Sequence, residues 1–499
     1  MIIQKFFSRG KSSSAFPPVW LSIIPVVALL GALITIIVTL GAAEVQTYSY
    51  LILLAAAALA FGLRLAWRPM QGRMLRAGVA KSARQVLPAV PILLLIGTLS
   101  STWMLSGVVP LLIDYGLELL NPSTFLMLAC VVCAAVSVVT GTSWTTIATI
   151  GVALMGIGTV MGYNPAWVAG AIISGAYFGD KVSPLSDTTV LAASSTGVEL
   201  FSHIRFLMIT TIPAMTIALI VYGVVGFTTS TISIAQSEEI TRALAEVFNL
   251  SPWVLTIPLL TGVMIALRLR TDLTLAISSV AGLAGLFIFQ PGVVERLGGG
   301  TLASDFSLSM QVLFTSTGLT TGHTLLDSLV GTGGVEGMLP TVWLVLSAMT
   351  FGGVMLATGM LQSLTRSFTH HLHNPRRLVG ATVASGLFLN SCTGDQYLSI
   401  ILGSNMYKSS YKRARMRPQV LSRSLEDSIS VTSVLIPWNS CGVTQSTVLG
   451  VATLAYLPCC VFNYLSPVMT LIVAWIGWRV KASRPQLADS DAAAICPGA

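Results

Sequence analysis

Five acidic residues lie in sequence too apolar to hold a charge at low cost: Asp180, Asp187, Asp395, Glu426 and Asp427. They fall in two stretches, 140–189 and 390–442. The first opens with Thr140-Gly141-Thr142-Ser143-Trp144 and closes with Gly179-Asp180-Lys181, Pro184 and Asp187-Thr188-Thr189. The second repeats the plan with Asn390 to Gln396, then Glu426-Asp427, then Thr432 to Ser440, which includes Pro437 and Asn439. From Thr142 to Thr188 is 46 positions, and from Thr393 to Asn439 is also 46. Two polar, helix-breaking stretches in matching places of two halves mark a transporter's binding site.

A charge at the bilayer centre costs at least about 2.5 kcal/mol even on lenient insertion scales, so each acid needs a partner or a role. Lys181 can neutralise one, with Asp180 and Asp427 the candidates, but not five. The excess suits cations. Burial favours the protonated form of an acid and a bound cation favours the ionised form, so one group holds either a proton or a metal ion. That competition is sufficient for proton/cation exchange. Hydroxyls and freed carbonyls of Thr142, Ser143, Thr188, Thr393 and Ser433 would complete an oxygen shell suited to a hard cation such as Na⁺. Gly141 and Gly394 let the backbone approach closely. Pro184 and Pro437 each remove a helical hydrogen bond and free a carbonyl. Asp187 and Asn439 are expected as repeat-related ligands. The expected Na⁺ set is Thr142, Ser143, Asp187, Thr393 and Asn439. Asp180, Thr188, Asp395, Glu426, Asp427 and Ser433 are further cation- or proton-binding groups, with Lys181 as charge partner.

The elements that must position these residues are membrane helices. The chain has 499 residues, 54% of them hydrophobic and only 9% charged, and its mean hydropathy is +0.81. A soluble domain carries about 25% charged residues. Apolar runs recur that are long enough to cross a hydrocarbon core of roughly 30 Å. The net charge of +8 comes from basic residues in short loops, which excludes a nucleic-acid reading and fits positive-inside topology. The seven cysteines show neither disulfide nor zinc spacing, so Cys130 and Cys133 are expected to pack in an apolar run. The span 20–40 reads as a retained first helix rather than a cleaved signal.

Intact spans are expected at 20–40, 49–67, 87–108, 204–226, 252–267, 273–290, 337–358 and 452–475. Re-entrant hairpins are expected at 122–161 and 378–406, the second with half-spans 378–391 and 396–406, and interrupted helices at 165–197 and 424–448. With the N-terminus in the cytoplasm (1–19), the cytoplasmic segments then hold 24 of the 27 Lys and Arg. Such asymmetry would not survive a miscounted crossing. The expected fold is all-α and polytopic: about ten transmembrane helices plus two re-entrant hairpins in an inverted-topology repeat. The first half is 20–226, an external amphipathic connector 227–251, the second half 252–475 and a cytoplasmic tail 476–499. Segment 291–336 reads as a Gly-rich loop, and His370, His371 and His373 as solvated residues of a cytoplasmic loop.

At these residues the chain resembles the NhaC-type sodium/proton antiporters of the ion-transporter superfamily. The resemblance rests on Gly141-Thr142-Ser143-Trp144, the run from Ala171 to Lys181, Ser183-Pro184-Leu185-Ser186-Asp187-Thr188-Thr189, and Asp395-Gln396-Tyr397-Leu398-Ser399. It extends to Leu425-Glu426-Asp427-Ser428, Ile436-Pro437-Trp438-Asn439 and Thr453 to Pro458. It implies a secondary antiporter of the prokaryotic cell membrane that moves Na⁺ against H⁺, with no cofactor beyond the transported ions. Some members of that family exchange organic anions or amino acids, such as malate for lactate, so a Na⁺- or H⁺-coupled exchanger is the alternative. Homodimers are usual in related folds, and no stretch of this sequence marks an interface. An intramembrane aspartyl protease would need Gly-x-Gly-Asp, which neither Asp180 nor Asp395 completes. The sequence contains no phosphate-binding loop for an ATP-driven pump.

Overall fold

The computed structural model describes residues 16–41, 44–70, 72–229, 234–321, 327, 330–368 and 374–477, and all regular structure among them is helical. The chain opens with α1 (Val19–Thr39), α2 (Glu44–Trp67) and α3 (Gly72–Val86), the last with four basic residues, Arg73, Arg76, Lys81 and Arg84. Next come α4 (Ala89–Leu105), α5 (Val108–Leu119) and an antiparallel pair, α6 (Phe125–Thr140) and α7 (Ser143–Val160). A broken helix follows, made of α8 (Pro165–Val182) and α9 (Asp187–Thr196), and α10 (Leu200–Thr228) ends this half. The connector contains α11 (Ile234–Val247). Beyond it lie α12 (Thr256–Ala266), α13 (Thr271–Phe289), α14 (Pro291–Arg296) and α15 (Leu302–Phe314).

The second half then runs α16 (Gly334–Ala357), α17 (Met360–Phe368), and the pair α18 (Pro375–Thr393) and α19 (Gln396–Arg413). Its broken helix is α20 (Pro418–Leu425), a π-helical turn at Glu426–Ser430, and α21 (Ser440–Leu449). The short α22 (Thr453–Tyr456) and α23 (Val461–Ile476) close it. Seven of the described helices are long and apolar enough to cross a membrane, or ten if each of three bent pairs counts as one span.

The two halves share one chain trace, offset by 253 positions from Asn121 to Asn374. Those two asparagines each cap a helix whose first residue is proline. Gly141 and Gly394 end the first arm of each pair at φ of +70° and +66°. Pro165 and Pro418 begin the broken helices, and Pro184 and Pro437 lie within the breaks. Ser186 and Asn439 cap the second pieces with their side chains, and Gly197 and Gly450 end them at φ of +79° and +66°. Contacts between the halves are reciprocal. Ser174 meets Asn463 at 3.4 Å, and its counterpart Asp427 meets Thr210, the counterpart of Asn463, at 2.9 Å. The same exchange brings Gly170 against Cys459 and Arg423 over the ring of Phe206. Contacts that swap partners in this way require a twofold relation between the halves.

Small residues hold the helices at backbone distance, as polar-poor interfaces require. A Cβ on Gly175 would lie 2.1 Å from the carbonyl oxygen of Cys130, and one on Gly179 would lie 2.4 Å from that of Ala134. The Ser137 hydroxyl donates to the Ala176 carbonyl across the same seam at 2.6 Å. Cys130 and Cys133 are free and buried there. The Gly141 turn is pressed onto the break of the adjacent helix, because its Cβ would sit 2.6 Å from that of Leu185. This turn therefore lies within the span of the broken helix, not at either end.

Several expectations need correction. Segment 291–336 is not a structureless loop: Pro291 starts α14, and a Thr301–Ser304 capping box starts α15. The second pair is longer than 378–391 and 396–406, since Asn374-Pro375 starts its first arm and the basic end of α19 extends its second. The span expected at 452–475 is bent by 57° between Thr453–Cys459 and Val461–Ile476. Asn439 corresponds to Ser186, not to Asp187, because both are helix caps at the common offset. The counterpart of Asp187 is Ser440. The three histidines at 370, 371 and 373 lie outside the described residues, as do 1–15 and 478–499.

The seam between α6 and α8 is testable. Gly175→Ala should lower stability by about 1–3 kcal/mol through overpacking, read as a lower Tm in detergent. Gly262→Ala, at a glycine with nothing within 4 Å of its Cβ position, should leave Tm unchanged or raise it.

Candidate functional site

Both turns and both breaks converge on one cavity of about 380 Å³. The first turn contributes Gly141, Thr142 and Trp144, and the first broken helix contributes Asp180, Asp187 and Thr188. Asp395, Gln396 and Tyr397 come from the second turn, and Ser440 from the second break. The remaining wall is Pro88, Ala89 and Ile92 of α3–α4 and Thr271 at the start of α13. Three of the lining side chains are carboxylates, and none of those described is basic.

Each carboxylate is placed by its helix. Asp180 is in the last turn of α8, where its Oδ2 accepts from the backbone N–H of Ser143 at 3.0 Å and from the Ser143 hydroxyl at 2.8 Å. Asp187 is the first residue of α9 and is exposed to the cavity. An acidic side chain is favoured there by the partial positive charge of the helix N-terminus. Asp395 caps α19, and its Oδ1 accepts from the Leu398 N–H at 2.8 Å. The turn before it is built like the first one. Thr393 Oγ1 accepts from the Asp395 N–H and donates to the Asp395 carbonyl, as Thr140 does with Thr142. Its hydroxyl also meets Ser399 at 2.7 Å, the counterpart of the 3.2 Å contact between Thr140 and Thr146.

Of the residues expected from sequence, the structure brings Thr142, Asp180, Asp187, Thr188 and Asp395 to the cavity wall. It puts Ser143, Thr393, Ser433 and Asn439 behind that wall, buried and engaged with protein groups. Ser433 Oγ donates to Gln396 Oε1 at 3.3 Å, which is the second-half version of the link between Ser143 and Asp180. The Asn439 side chain accepts from the Cys441 N–H and donates to Asn390.

Glu426, Asp427 and Lys181 form a second, dry cluster. Lys181 Nζ forms an ion pair with Asp427 Oδ1, and Ser466 bonds both ends of it, accepting from the ammonium at 2.8 Å and donating to the carboxylate at 3.0 Å. Oδ2 of Asp427 accepts from the hydroxyls of Thr210 and Thr470. A buried pair needs its remaining lone pairs satisfied to be tolerated, and these three hydroxyls do so. Glu426 accepts from Thr188, the cavity-wall residue, at 3.2 Å. Thr188 therefore joins the two clusters.

A family model for the Na⁺/H⁺ antiporter family matches residues 175–478, covering the first break, the second turn and the second break. The chain belongs to this Na⁺/H⁺ antiporter family. It is 35% identical over 452 residues to the Na(+)/H(+) antiporter NhaC of Alkalihalophilus pseudofirmus, covering 90% of this chain and 94% of that one. It is 33% identical over 437 residues to the Na(+)/H(+) antiporter NhaC of Bacillus subtilis, 87% of this chain and 92% of the relative. It is also 34% identical over 400 residues to a Malate-2H(+)/Na(+)-lactate antiporter of Bacillus subtilis, 79% of this chain and 83% of the relative.

Within this antiporter, sequence reasoning found Thr142 and Thr188 but missed other neutral members of both clusters. Gln396 and Ser440 line the cavity but are neutral and carry no cost signal. Around Asp427, the pair Ser466 and Thr470 shows the i, i+4 spacing of one helical face, a legible sign in an apolar span. Arg423, grouped with the cytoplasmic charges on sequence grounds, is instead fully buried beside this node.

The geometry around Asp180 yields an expectation. Ser143→Ala removes one of the two hydrogen bonds that Ser143 makes to that carboxylate, and a hydrogen bond to a charged group contributes about 1.5–3 kcal/mol when buried. Because Asp180 is partly exposed, we expect KM for Na⁺ to change about tenfold or less. Ser143→Thr, which keeps the hydroxyl, should stay near wild type in the same flux assay.

Proposed function

We propose that the chain exports Na⁺ in exchange for H⁺ across the cell membrane, as a secondary antiporter without a cofactor and without enzymatic activity. The observation that carries this reading is the cavity with three carboxylates and no described basic side chain, set between both turns and both breaks. Like charges so close cannot all remain ionised and empty, so the site holds a proton or a metal cation. Asp180, Asp187 and Asp395, with the hydroxyls of Thr142 and Thr188, are the ligands in contact with the ion. Ser143, Thr393, Ser433 and Asn439 hold the wall in shape.

The cavity wall includes the first residues of α4 and α13, which follow Arg84, Arg268 and Arg270 in sequence. By the charge rule that end is cytoplasmic, so this state is open inward, ready to take up the ion to be exported. The same rule places both termini inside and inverts the halves 20–226 and 252–475, so the pairs α6–α7 and α18–α19 are re-entrant from opposite faces. At about 30 Å³ per water, the cavity has room for Na⁺ with part of its hydration shell.

An organic-anion exchanger is the second reading, supported by the relative named for malate and lactate. The N-termini of α9 and α21 at the cavity favour an anion, but the first of them carries Asp187, which repels one.

Proteoliposomes with an acidic interior decide between them. Addition of Na⁺ outside should collapse the pH gradient, and Asp187→Ala or Asp395→Ala should slow the collapse by at least about tenfold. Silence with Na⁺, K⁺ and Li⁺, relieved by malate, lactate or an amino acid, would overturn the antiporter in favour of the exchanger.

A further inference from the structure

One buried charge is not explained by either cluster. Arg423, in the last turn of α20, has no solvent exposure, and none of its three guanidinium nitrogens makes a hydrogen bond among the described residues. It lies over the ring of Phe206, with 4.8 Å from Cζ to the ring centroid. Such a contact offsets only a small part of the cost of burying a cation. Helix packing does not call for arginine here, because the repeat-related corner is filled by Gly170.

Two acids follow on the same helix, Glu426 and Asp427, and Asp427 is four positions on, a spacing at which side chains on one helical face meet. In this state Asp427 has no site to offer. Oδ1 is taken by Lys181 and Ser466, and Oδ2 by Thr210 and Thr470. The two cations differ in attachment. Arg423 rides on the helix of Asp427 and stays within reach of it through any movement of that helix. Lys181 is on α8, directly after the cavity residue Asp180, so a shift of that turn on filling or emptying the cavity moves the ammonium too.

We propose that Arg423 is the alternate counter-charge of Asp427: it pairs with the carboxylate in the state of the transport cycle in which Lys181 is withdrawn. An Asp427 left alone in the dry interior would make that state too costly to visit, and the handover keeps it accessible. Arg423 is thus a positioning residue for the exchange, and the inference rests on the antiport reading above for its kinetic consequence.

The test pairs a stability readout with a transport readout on the full chain. Arg423→Gln removes a charge that is unpaired at rest, so its Tm should equal or exceed wild type. Its Na⁺-driven proton exchange should nevertheless fall by about tenfold or more, because the second state has lost its counter-charge. Arg423→Lys, which keeps a cation on the same helix, should recover part of the rate. Lys181→Met should lower Tm modestly, since Arg423 takes its place, whereas Lys181→Met combined with Arg423→Gln should lower Tm well beyond the sum of the two. Additive Tm shifts would overturn the proposal. So would an Arg423→Gln protein that unfolds, one that exchanges at the wild-type rate, or an Arg423→Lys protein no faster than Arg423→Gln. The Tm coupling needs no transport, so it decides the pairing even if wild type is silent to Na⁺ and the antiport reading fails.

Discussion

Unpaired peptide groups inside a membrane must find partners in the protein itself, and most of this structure answers that demand. Breaking the second helix frees carbonyls at 429, 431 and 434, and each is taken up by a side chain from another element. The Asn390 amide donates to the Ile429 carbonyl at 2.8 Å, the Asn463 amide to Val431 at 2.8 Å and the Tyr456 hydroxyl to Val434 at 2.8 Å. The second turn and second break also bond directly, from the Ser440 N–H to the Gly394 carbonyl at 2.9 Å. The Trp438 indole donates to the Ser391 carbonyl at 2.7 Å beside it. In the first half Ser183 reaches the Val138 carbonyl and Thr189 the Lys181 carbonyl. A turn is therefore the cover that makes its neighbouring break tolerable, which is why turn and break occur together in each half.

Duplication preserved this backbone solution but not the charges. Caps, prolines and left-handed glycines coincide at the 253-position offset, whereas none of the five carboxylates at the two clusters does. Asp180 and Asp187 correspond to Ser433 and Ser440, Asp395 to Thr142, and Asp427 to Ser174. A symmetric set would double the acids around a cavity of about 380 Å³ and add like-charge repulsion. The asymmetry instead separates a cavity lined by carboxylates from a buried node in which the counter-charge is built in. The π-helical turns are unequal as well. One lies in the second arm of the first pair, at Ile147–Gly151, and the other spans Glu426–Ser430, and such turns mark functional sites.

Membrane class, the two interruptions and the acids were legible from sequence because each breaks an apolar background that has a known cost. Gly141 and Gly394, singled out in sequence for close backbone approach, are the turns. The repeat was legible too, but its register is not given by the ligand residues. Matching hydroxyls at 142 and 393 gave an offset two positions short, whereas the Asn-Pro pairs at 121–122 and 374–375 fix it. Prolines and helix-ending glycines are better markers of register than ligands, because backbone geometry constrains them while function lets ligands diverge. The burial of Arg423 was illegible for the opposite reason. It follows a run of solvated basic residues, and only the packing of α20 against Phe206 separates it from them.

Adjacent residues at the first break serve different clusters, and this is what links them. Asp180 faces the cavity and Lys181 faces the node, so one helical turn carries both a carboxylate of the cavity and the node's counter-charge. Thr188, on the other side of the break, lines the cavity and bonds Glu426. The break relieves this turn of the rigidity of a continuous helix, since Pro184 cannot donate the hydrogen bond that would hold it. A cation drawing in Asp180 would therefore pull on Lys181, and the ion pair would resist or yield. On the proposed reading, occupancy of the cavity becomes a change of partners in a buried, charged interior, where electrostatic energies are largest. An exchanger needs such a coupling, because an empty, unprotonated carrier that crossed freely would dissipate both gradients.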